Sequence, residues 1–217
     1  MTNIYISNSC VGYGIYKRLK NKYNNPFIGS LIPNDLEYIK LCKHFEKYIN
    51  INPICNTTPK NESLFSQQNN GLYYKHKSIK TPYPIIHLDD IEIHYIHYKT
   101  CKIALSNFIR RIKYLKEIIK NNNYKIINIL SFSELFNDHE DINNIINNFL
   151  DINNKKTINI FIGPSIYNKN NKNHYIKINN WDNKKLIRNN SHVYEWNNQI
   201  FTINKCIEYM KHNNLFF

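Results

Sequence analysis

Glycine is scarce in this sequence, with 5 residues in a chain of 217. The dinucleotide-binding pattern G-x-G-x-x-G and the nucleophile-elbow pattern G-x-S-x-G are both absent. The first absence leaves no recognisable glycine cradle for a pyrophosphate, and the second excludes the serine elbow of α/β-hydrolases. Any enzymatic chemistry must therefore be built from other residues.

Long apolar runs and paired cysteines are also missing. The chain has no stretch of about 18 apolar residues, which excludes a transmembrane helix of ordinary length. Residues 1–10 lack the basic region and the small-residue cleavage site of a signal peptide.

The five cysteines are odd in number and form no C-x-x-C pair, so they suggest neither a zinc site nor a disulfide framework. We expect reduced thiols in a cytoplasmic protein.

Acidic residues are few, with 16 Asp and Glu against 29 Lys and Arg, and the formal net charge is +13. The basic residues are spread along the chain without a basic tail. Asn, Ile, Lys and Tyr are abundant, which is the skew of AT-rich coding sequence, so coding bias accounts for part of the lysine excess. The charge still favours anionic partners such as nucleotides, sugar phosphates or nucleic acid.

The order of apolar patterns predicts a single α/β domain over residues 1–217, with a loop-rich excursion at about 50–71. The expected architecture is an α/β fold with a mixed, partly parallel sheet. A strand, a helix and a strand between 124 and 162 form a βαβ unit, whose two strands should be parallel. The predicted strands are 3–7, 27–32, 72–77, 83–98, 124–131 and 157–162, and the predicted helices are 15–22, 35–49, 101–120, 140–150 and 201–213.

Two of these helices have clear starting residues. Asn34 precedes the helix over 35–49, and Glu37 at the third helical position completes a capping box. Thr100 caps the helix over 101–120. Arg110 and Arg111 in that helix are candidate contacts for an anion, and the alternative is that they belong to a solvated basic face.

The segment 82–98 places three acidic residues and three histidines in a stretch that otherwise has the pattern of a buried strand. Alternate side chains of an extended strand share a face, so Asp90, Glu92 and His94 should lie together. His97 falls on the opposite, apolar face unless a bulge reorients it. The polar face is either solvated or functional. His94 can act as a base near neutral pH, and a neighbouring carboxylate can orient its ring or bind a divalent metal with it.

A second candidate site lies at the end of the first predicted strand, where α/β folds usually bind their ligands. Asn8 and the turn around Gly12 can donate hydrogen bonds to an oxyanion or a phosphate there. Cys10 stands in the same turn. It is either an inert thiol or a reactive one able to carry an acyl group.

Four blocks follow one another in the sequence. They are Ile6-Ser7-Asn8-Ser9-Cys10 with Gly12 and Gly14; Pro26-Phe27-Ile28-Gly29; Tyr83-Pro84 followed by Asp90-Ile91-Glu92-Ile93-His94-Tyr95-Ile96-His97-Tyr98; and Phe108 with Arg110 and Arg111. Together they resemble the exopolysaccharide-biosynthesis group known as domain of unknown function 1919. The resemblance is strongest over residues 3–120, and Ser9, Val11, Phe108 and Tyr114 depart from the family pattern.

The resemblance implies a three-layer α/β/α fold, similar to a Rossmann fold, and a genomic setting among glycosyltransferases and capsule genes. We therefore predict a transferase of polysaccharide or surface-glycan biosynthesis, which acts by acyl or glycosyl transfer on a sugar, a nucleotide sugar or a lipid-linked glycan. A divalent metal and acyl-CoA are the cofactors considered. The alternatives are a glycan hydrolase or esterase, and a basic nucleic-acid-binding module. The candidate catalytic residues are His94, Glu92, Asp90, His97 and Cys10, and the candidate substrate-binding residues are Asn8, Gly12, Arg110 and Arg111.

Overall fold

A computed structural model describes residues 1–9, 11–59, 82–131, 142–164, 175–178 and 203–215. These residues form two sheets with helices packed around them. The strands are β1 (Thr2–Ser7), β2 (Ile54–Thr57), β3 (Pro84–Leu88), β4 (Ile91–His94), β5 (Tyr124–Ser131), β6 (Thr157–Pro164) and β7 (Tyr175–Ile178). The helices are α1 (Val11–Leu19), α2 (Asp35–Lys43), α3 (Phe45–Tyr48), α4 (Cys101–Lys120), α5 (Ile142–Leu150) and α6 (203–212).

The larger sheet has the strand order β1-β5-β6-β7, and each pair of neighbours is parallel. The predicted parallel pairing of β5 with β6 is therefore confirmed. Both faces of this sheet are apolar: Ile6 and Leu130 belong to one core cluster, while Tyr5 and Ile129 belong to the other. Burial on both faces explains why β5 is an almost continuous run of apolar residues.

Helices cover both faces of the parallel sheet. Tyr38 of α2 and Phe149 of α5 pack in the first core cluster, and Ile15 of α1 and Met210 of α6 pack in the second. The α/β class and the layered arrangement are thus confirmed. Within the described ranges, no helix combines the length and the apolar character needed to cross a membrane.

The smaller sheet, β2-β3-β4, is antiparallel and corrects the prediction of one long strand over 83–98. Asp89 and Asp90 form a two-residue turn between β3 and β4, with Leu88 paired to Ile91. Asp89 has φ 59°, a left-handed conformation that aspartate tolerates better than most residues. The expected single mixed sheet is consequently two sheets, one parallel and one antiparallel.

The predicted strand over 27–32 is wrong. Residues 26–29 form turns, and Leu31 makes an isolated bridge to His94. Gly29 has φ 70°, which a regular strand does not allow. This segment is held by the Asn25 side chain and not by strand hydrogen bonds. The Asn25 amide oxygen accepts from the Phe27 N–H, and its amide nitrogen donates to the Tyr5 carbonyl.

Three predicted boundaries also change. The helix over 35–49 is interrupted at His44, whose φ and ψ of −118° and 37° separate α2 from α3. Strand β2 lies inside the predicted loop excursion, and α1 begins at Val11 instead of at residue 15. Gly14 within α1 is explained by packing, because a Cβ there would clash with the side chain of Ile203 on α6.

The clearest local signals are confirmed. Helix α4 and strand β5 have the predicted bounds, and the Thr100 side chain accepts from the Ile103 N–H. Asn34 caps α2 as expected, accepting from the N–H groups of the second and third helical residues. The predicted strand over 72–77 and the segment after Ser131 lie outside the described residues.

Candidate functional site

The outer face of the antiparallel sheet carries the candidate site. Glu92 and His94 are two residues apart on β4 and share this face, as predicted. His87 of β3 stands directly opposite Glu92 in the antiparallel register. The hairpin therefore brings a third titratable side chain to the pair.

The Glu92 carboxylate lies between the two imidazole rings. His87 Nδ1 is 3.6 Å from one carboxylate oxygen, and His94 Nε2 is 3.6 Å from the other. The side chains of Glu92, His87 and His94 are 50%, 28% and 7% exposed. A ligand in solvent therefore reaches the carboxylate first and His94 last.

His94 is held from its far side by Tyr83. The Tyr83 hydroxyl lies 3.0 Å from His94 Nδ1, and both residues are buried. Burial lowers the pKa of His94 below 6.5, although the Glu92 charge acts in the opposite direction. The ring is therefore neutral at pH 7. A tyrosine hydroxyl that donates to Nδ1 favours the tautomer with its proton on Nε2, facing Glu92.

Glu37 of α2 fixes the backbone of the same strand. Its Oε2 accepts from the Glu92 N–H at 2.8 Å, so the carboxylate does not serve the predicted capping box. Burial raises the pKa of Glu37, and the nearby Glu92 charge raises it further. The sequence did not single out Glu37, Tyr83 or His87 for the site. Recognising Asp89-Asp90 as a hairpin turn would have found His87, since the register follows from it.

Asn8 joins three elements at the carboxyl edge of the parallel sheet. Its amide nitrogen donates to the Ser131 carbonyl at 2.9 Å and to Asp35 Oδ1 at 3.2 Å. Its amide oxygen accepts from the Ser131 N–H at 2.9 Å. Both amide hydrogens of Asn8 are therefore donated to acceptors within the protein. Asn8 ties β1 to β5 and to the start of α2, which differs from the predicted role of donating to a substrate.

Leu31 and Ile32 connect the two candidate sites that the sequence predicts, one around Asn8 and one around His94. Leu31 exchanges backbone hydrogen bonds with His94, at 3.0 and 2.8 Å, and the Ile32 N–H donates to the Asn8 carbonyl at 2.9 Å. The end of β4 therefore lies beside the carboxyl end of β1. The sequence predicted these two candidate sites separately, and the tertiary structure places them next to each other.

Asp90 does not share the face of Glu92 and His94, because it lies in the hairpin turn. Lys40 Nζ is 2.8 Å from Asp90 Oδ2, and the Tyr48 hydroxyl donates to Oδ1 at 2.7 Å. These two hydrogen bonds, that from Lys40 foremost, lower the pKa of Asp90 to about 2. His97 lies in a turn after β4 with its side chain exposed, so it is neither on an apolar strand face nor in a bulge.

The remaining candidates occupy separate positions. Gly12 lies in the first turn of α1, where a Cβ would stand 3.2 Å from the Ser7 Cβ. Cys10 lies outside the described residues. Arg110 is exposed and donates to Asn107, whereas Arg111 donates to the Ile28 carbonyl at 3.2 Å and lies over the Tyr23 ring. Arg111 thus supports the turn that leads to Leu31.

Metal binding was one predicted use of the carboxylates. In the part of the chain that the structure describes, no group of three or more His, Cys, Asp or Glu residues has a geometry that could hold a metal ion. The His87, Glu92 and His94 side chains can transfer protons and form hydrogen bonds, and the carboxylate of Glu92 is the most exposed of the three.

The comparison with family models matches residues 2–212 to one family, described as Domain of unknown function (DUF1919). The chain belongs to this family. The match covers both the Asn8 edge and the His87–Glu92–His94 cluster, so both are features of the DUF1919 domain of this protein. Among curated proteins, none matches the sequence.

Proposed function

We propose that this DUF1919 protein is a transferase of surface-polysaccharide assembly, in which Glu92 accepts the proton of a sugar hydroxyl. The observation that supports this proposal is the half-exposed Glu92 carboxylate, held between His87 and His94 at 3.6 Å from each ring. A positioned carboxylate of this kind typically contributes 10²–10⁴-fold as a general base.

The exposure of the side chains favours Glu92 over His94 as the base. The His94 side chain is 7% exposed, and its two ring nitrogens face Tyr83 and Glu92. A substrate hydroxyl cannot reach either nitrogen without displacing one of these groups. His94 is therefore a positioning residue. The Tyr83 hydroxyl orients the His94 ring, and the ring in turn holds the Glu92 carboxylate.

The proposed step needs no oxidant or reductant. Glu92 takes the hydroxyl proton while the sugar oxygen attacks the donor. In acyl transfer the oxygen bonds to the acyl carbon, and the thioester or ester leaving group departs with the bonding electrons. In glycosyl transfer the oxygen bonds to the anomeric carbon, and the bond to the leaving phosphate oxygen breaks.

Two features support a glycan substrate with an anionic donor. The four sequence blocks resemble the exopolysaccharide-biosynthesis group, and the net charge of +13 attracts nucleotide sugars or acyl-CoA. The carboxyl edge of the parallel sheet, next to β4, is the usual position for such a ligand in open α/β folds.

The test is a ligand screen followed by a turnover assay. Thermal shifts are measured with nucleotide sugars, acyl-CoAs and divalent metals, and with short DNA as a separate arm. The donor that stabilises the protein is then incubated with oligosaccharide acceptors, and the products are weighed by mass spectrometry. Glu92→Gln should lose at least 10²-fold in transfer rate while retaining its melting temperature.

Glu46→Gln, a substitution of an exposed carboxylate on α3, is the matched control and should keep full activity. Release of free sugar or free acid in place of a transfer product would replace the proposal with a hydrolase. Stabilisation by DNA alone, falling steeply with salt, would replace it with a nucleic-acid-binding module. Equal turnover by Glu92→Gln and the native protein would remove Glu92 as the base.

A further inference from the structure

Two cysteine side chains that are distant in sequence meet at the junction of the antiparallel sheet and α4. Cys55 lies on β2, and Cys101 is the first residue of α4. Thr57 Oγ1 lies 3.3 Å from Cys101 Sγ, and the Cys101 thiol is near enough to Cys55 to raise the pKa of the Cys55 thiol. Both cysteines are reduced and partly exposed.

The positions of both backbones are fixed by regular structure. Cys55 pairs with Ile86 across β2 and β3, and Cys101 directly follows the Thr100 cap of α4. Residues 55 and 57 share one face of β2, about 6.5–7 Å apart. Since Cys101 Sγ contacts Thr57 Oγ1, its sulfur lies over the face of β2 that also carries Cys55. By contrast, Cys42 and Cys206 are buried.

We propose that Cys55 and Cys101 form a reversible intramolecular disulfide by exchange with a small-molecule disulfide such as oxidised glutathione. One protein thiolate attacks the glutathione disulfide and releases one glutathione thiolate. The second protein thiolate attacks the mixed disulfide at the protein sulfur and releases the other. The protein loses two electrons and two protons, and one oxidised glutathione becomes two reduced molecules.

The environment indicates the order of attack. Burial raises the pKa of Cys55 to about 12, and the nearby Cys101 thiol acts in the same direction. Cys55 is therefore the poorer first nucleophile. Cys101 is the first residue of a 20-residue helix and is partly exposed, so a small-molecule disulfide can reach it. Cys101 attacks first, and Cys55 resolves the mixed disulfide.

The bond would join β2 to the first turn of α4. Strand β2 pairs with β3, which carries His87, so the cross-link would restrain the sheet beneath the His87–Glu92 pair. It would also close a loop of the chain that is free in the reduced unfolded state, which raises stability. This inference rests on the placement of both thiols over one face of β2 and does not depend on the proposed transferase activity.

The experiment equilibrates the full-length protein in glutathione buffers of increasing oxidation. Every variant carries Cys10→Ser, because position 10 lies outside the described residues. Free thiols are alkylated after acid quenching, and the digest is mapped by mass spectrometry. We expect one linked peptide pair containing Cys55 and Cys101, and an upward shift in melting temperature that dithiothreitol reverses.

Cys55→Ser and Cys101→Ser should each abolish the linked pair and the shift, whereas Cys42→Ala should leave the linked pair unchanged. In Cys55→Ser, the mixed glutathione adduct should accumulate on Cys101. If the native pair yields glutathione adducts without a linked peptide, or if both thiols stay reduced under the most oxidising buffer, the proposal is wrong.

Discussion

Leu31 and His94 exchange both of their backbone hydrogen bonds, although Leu31 belongs to no regular strand. This bridge extends the antiparallel sheet by one residue on its β4 side. The next residue, Ile32, donates to the Asn8 carbonyl. A two-residue segment therefore fixes the distance between the His94 cluster and the edge of the parallel sheet.

Asn8→Ala should destabilise the protein by about 2–4 kcal/mol, because it leaves the buried Ser131 N–H and carbonyl without the amide that pairs with them. Chemical denaturation at constant m-value measures the change. Asn128→Ala is the matched control from the neighbouring strand. It removes one side-chain hydrogen bond, to Asn159, and should cost about 1–2 kcal/mol. Equal losses for the two variants would contradict the assignment of Asn8 as a junction residue.

The stability of the protein should fall as the pH drops below about 6.5, in part through His94. Burial lowers its folded-state pKa below the ordinary histidine value of 6.5, so the unfolded state binds more protons in this range. Stability therefore rises with pH up to about that value and is lost below it. Glu37 has the opposite sign, because its raised pKa makes the folded state bind more protons above pH 4.5.

His94→Gln isolates the histidine contribution. Melting temperatures between pH 7 and pH 5 should decline less in this variant than in the native protein. His212→Gln, at an exposed position on α6, is measured in the same buffers as a control for histidine replacement. An identical pH profile for His94→Gln and the native protein would show that the His94 ring does not resist protonation.

The Asp90 turn should weaken in acid. Hydrogen bonds from Lys40 and Tyr48 lower the pKa of Asp90 from 3.8 to about 2. The stabilisation is therefore fully present above about pH 4 and is lost as the pH falls toward 2. Asp90→Asn should show a shallower loss of melting temperature in that window, and so should Lys40→Met. Lys43→Met, on the exposed side of the same helix, should retain the native slope.

Gly14→Ala should lower the stability of the protein. A Cβ at this position clashes with Ile203 of α6, and overpacking of this kind costs about 1–3 kcal/mol, against about 1 kcal/mol gained in helix propensity. Ile203→Ala removes the atoms that clash. In a double-mutant cycle, the Gly14→Ala, Ile203→Ala pair should therefore be less destabilised than the sum of its single variants. Strict additivity would show that α1 and α6 do not approach as closely as described.

Local signals were sufficient for several elements. The Thr100 cap and the apolar spacing of Ala104, Phe108 and Leu115 predicted α4 at its observed bounds, because a long amphipathic helix is specified by its own sequence. Strand β5 was equally clear, since burial on both faces places apolar residues on both sides of the strand. The parallel pairing of β5 and β6 followed from the helix between them.

The sequence by itself determined the α/β class, the long elements and the pairing of Glu92 with His94 on one strand face. The tertiary structure decided which groups meet them. Glu37 binds the Glu92 backbone across 55 residues, and Thr57 of β2 contacts Cys101 of α4 across 44 residues. Such contacts depend on how packed elements are placed in space, and helical or strand periodicity carries no information on that placement. Burial, which encloses the His94 side chain and leaves that of Glu92 half-exposed, is likewise a property of the folded chain.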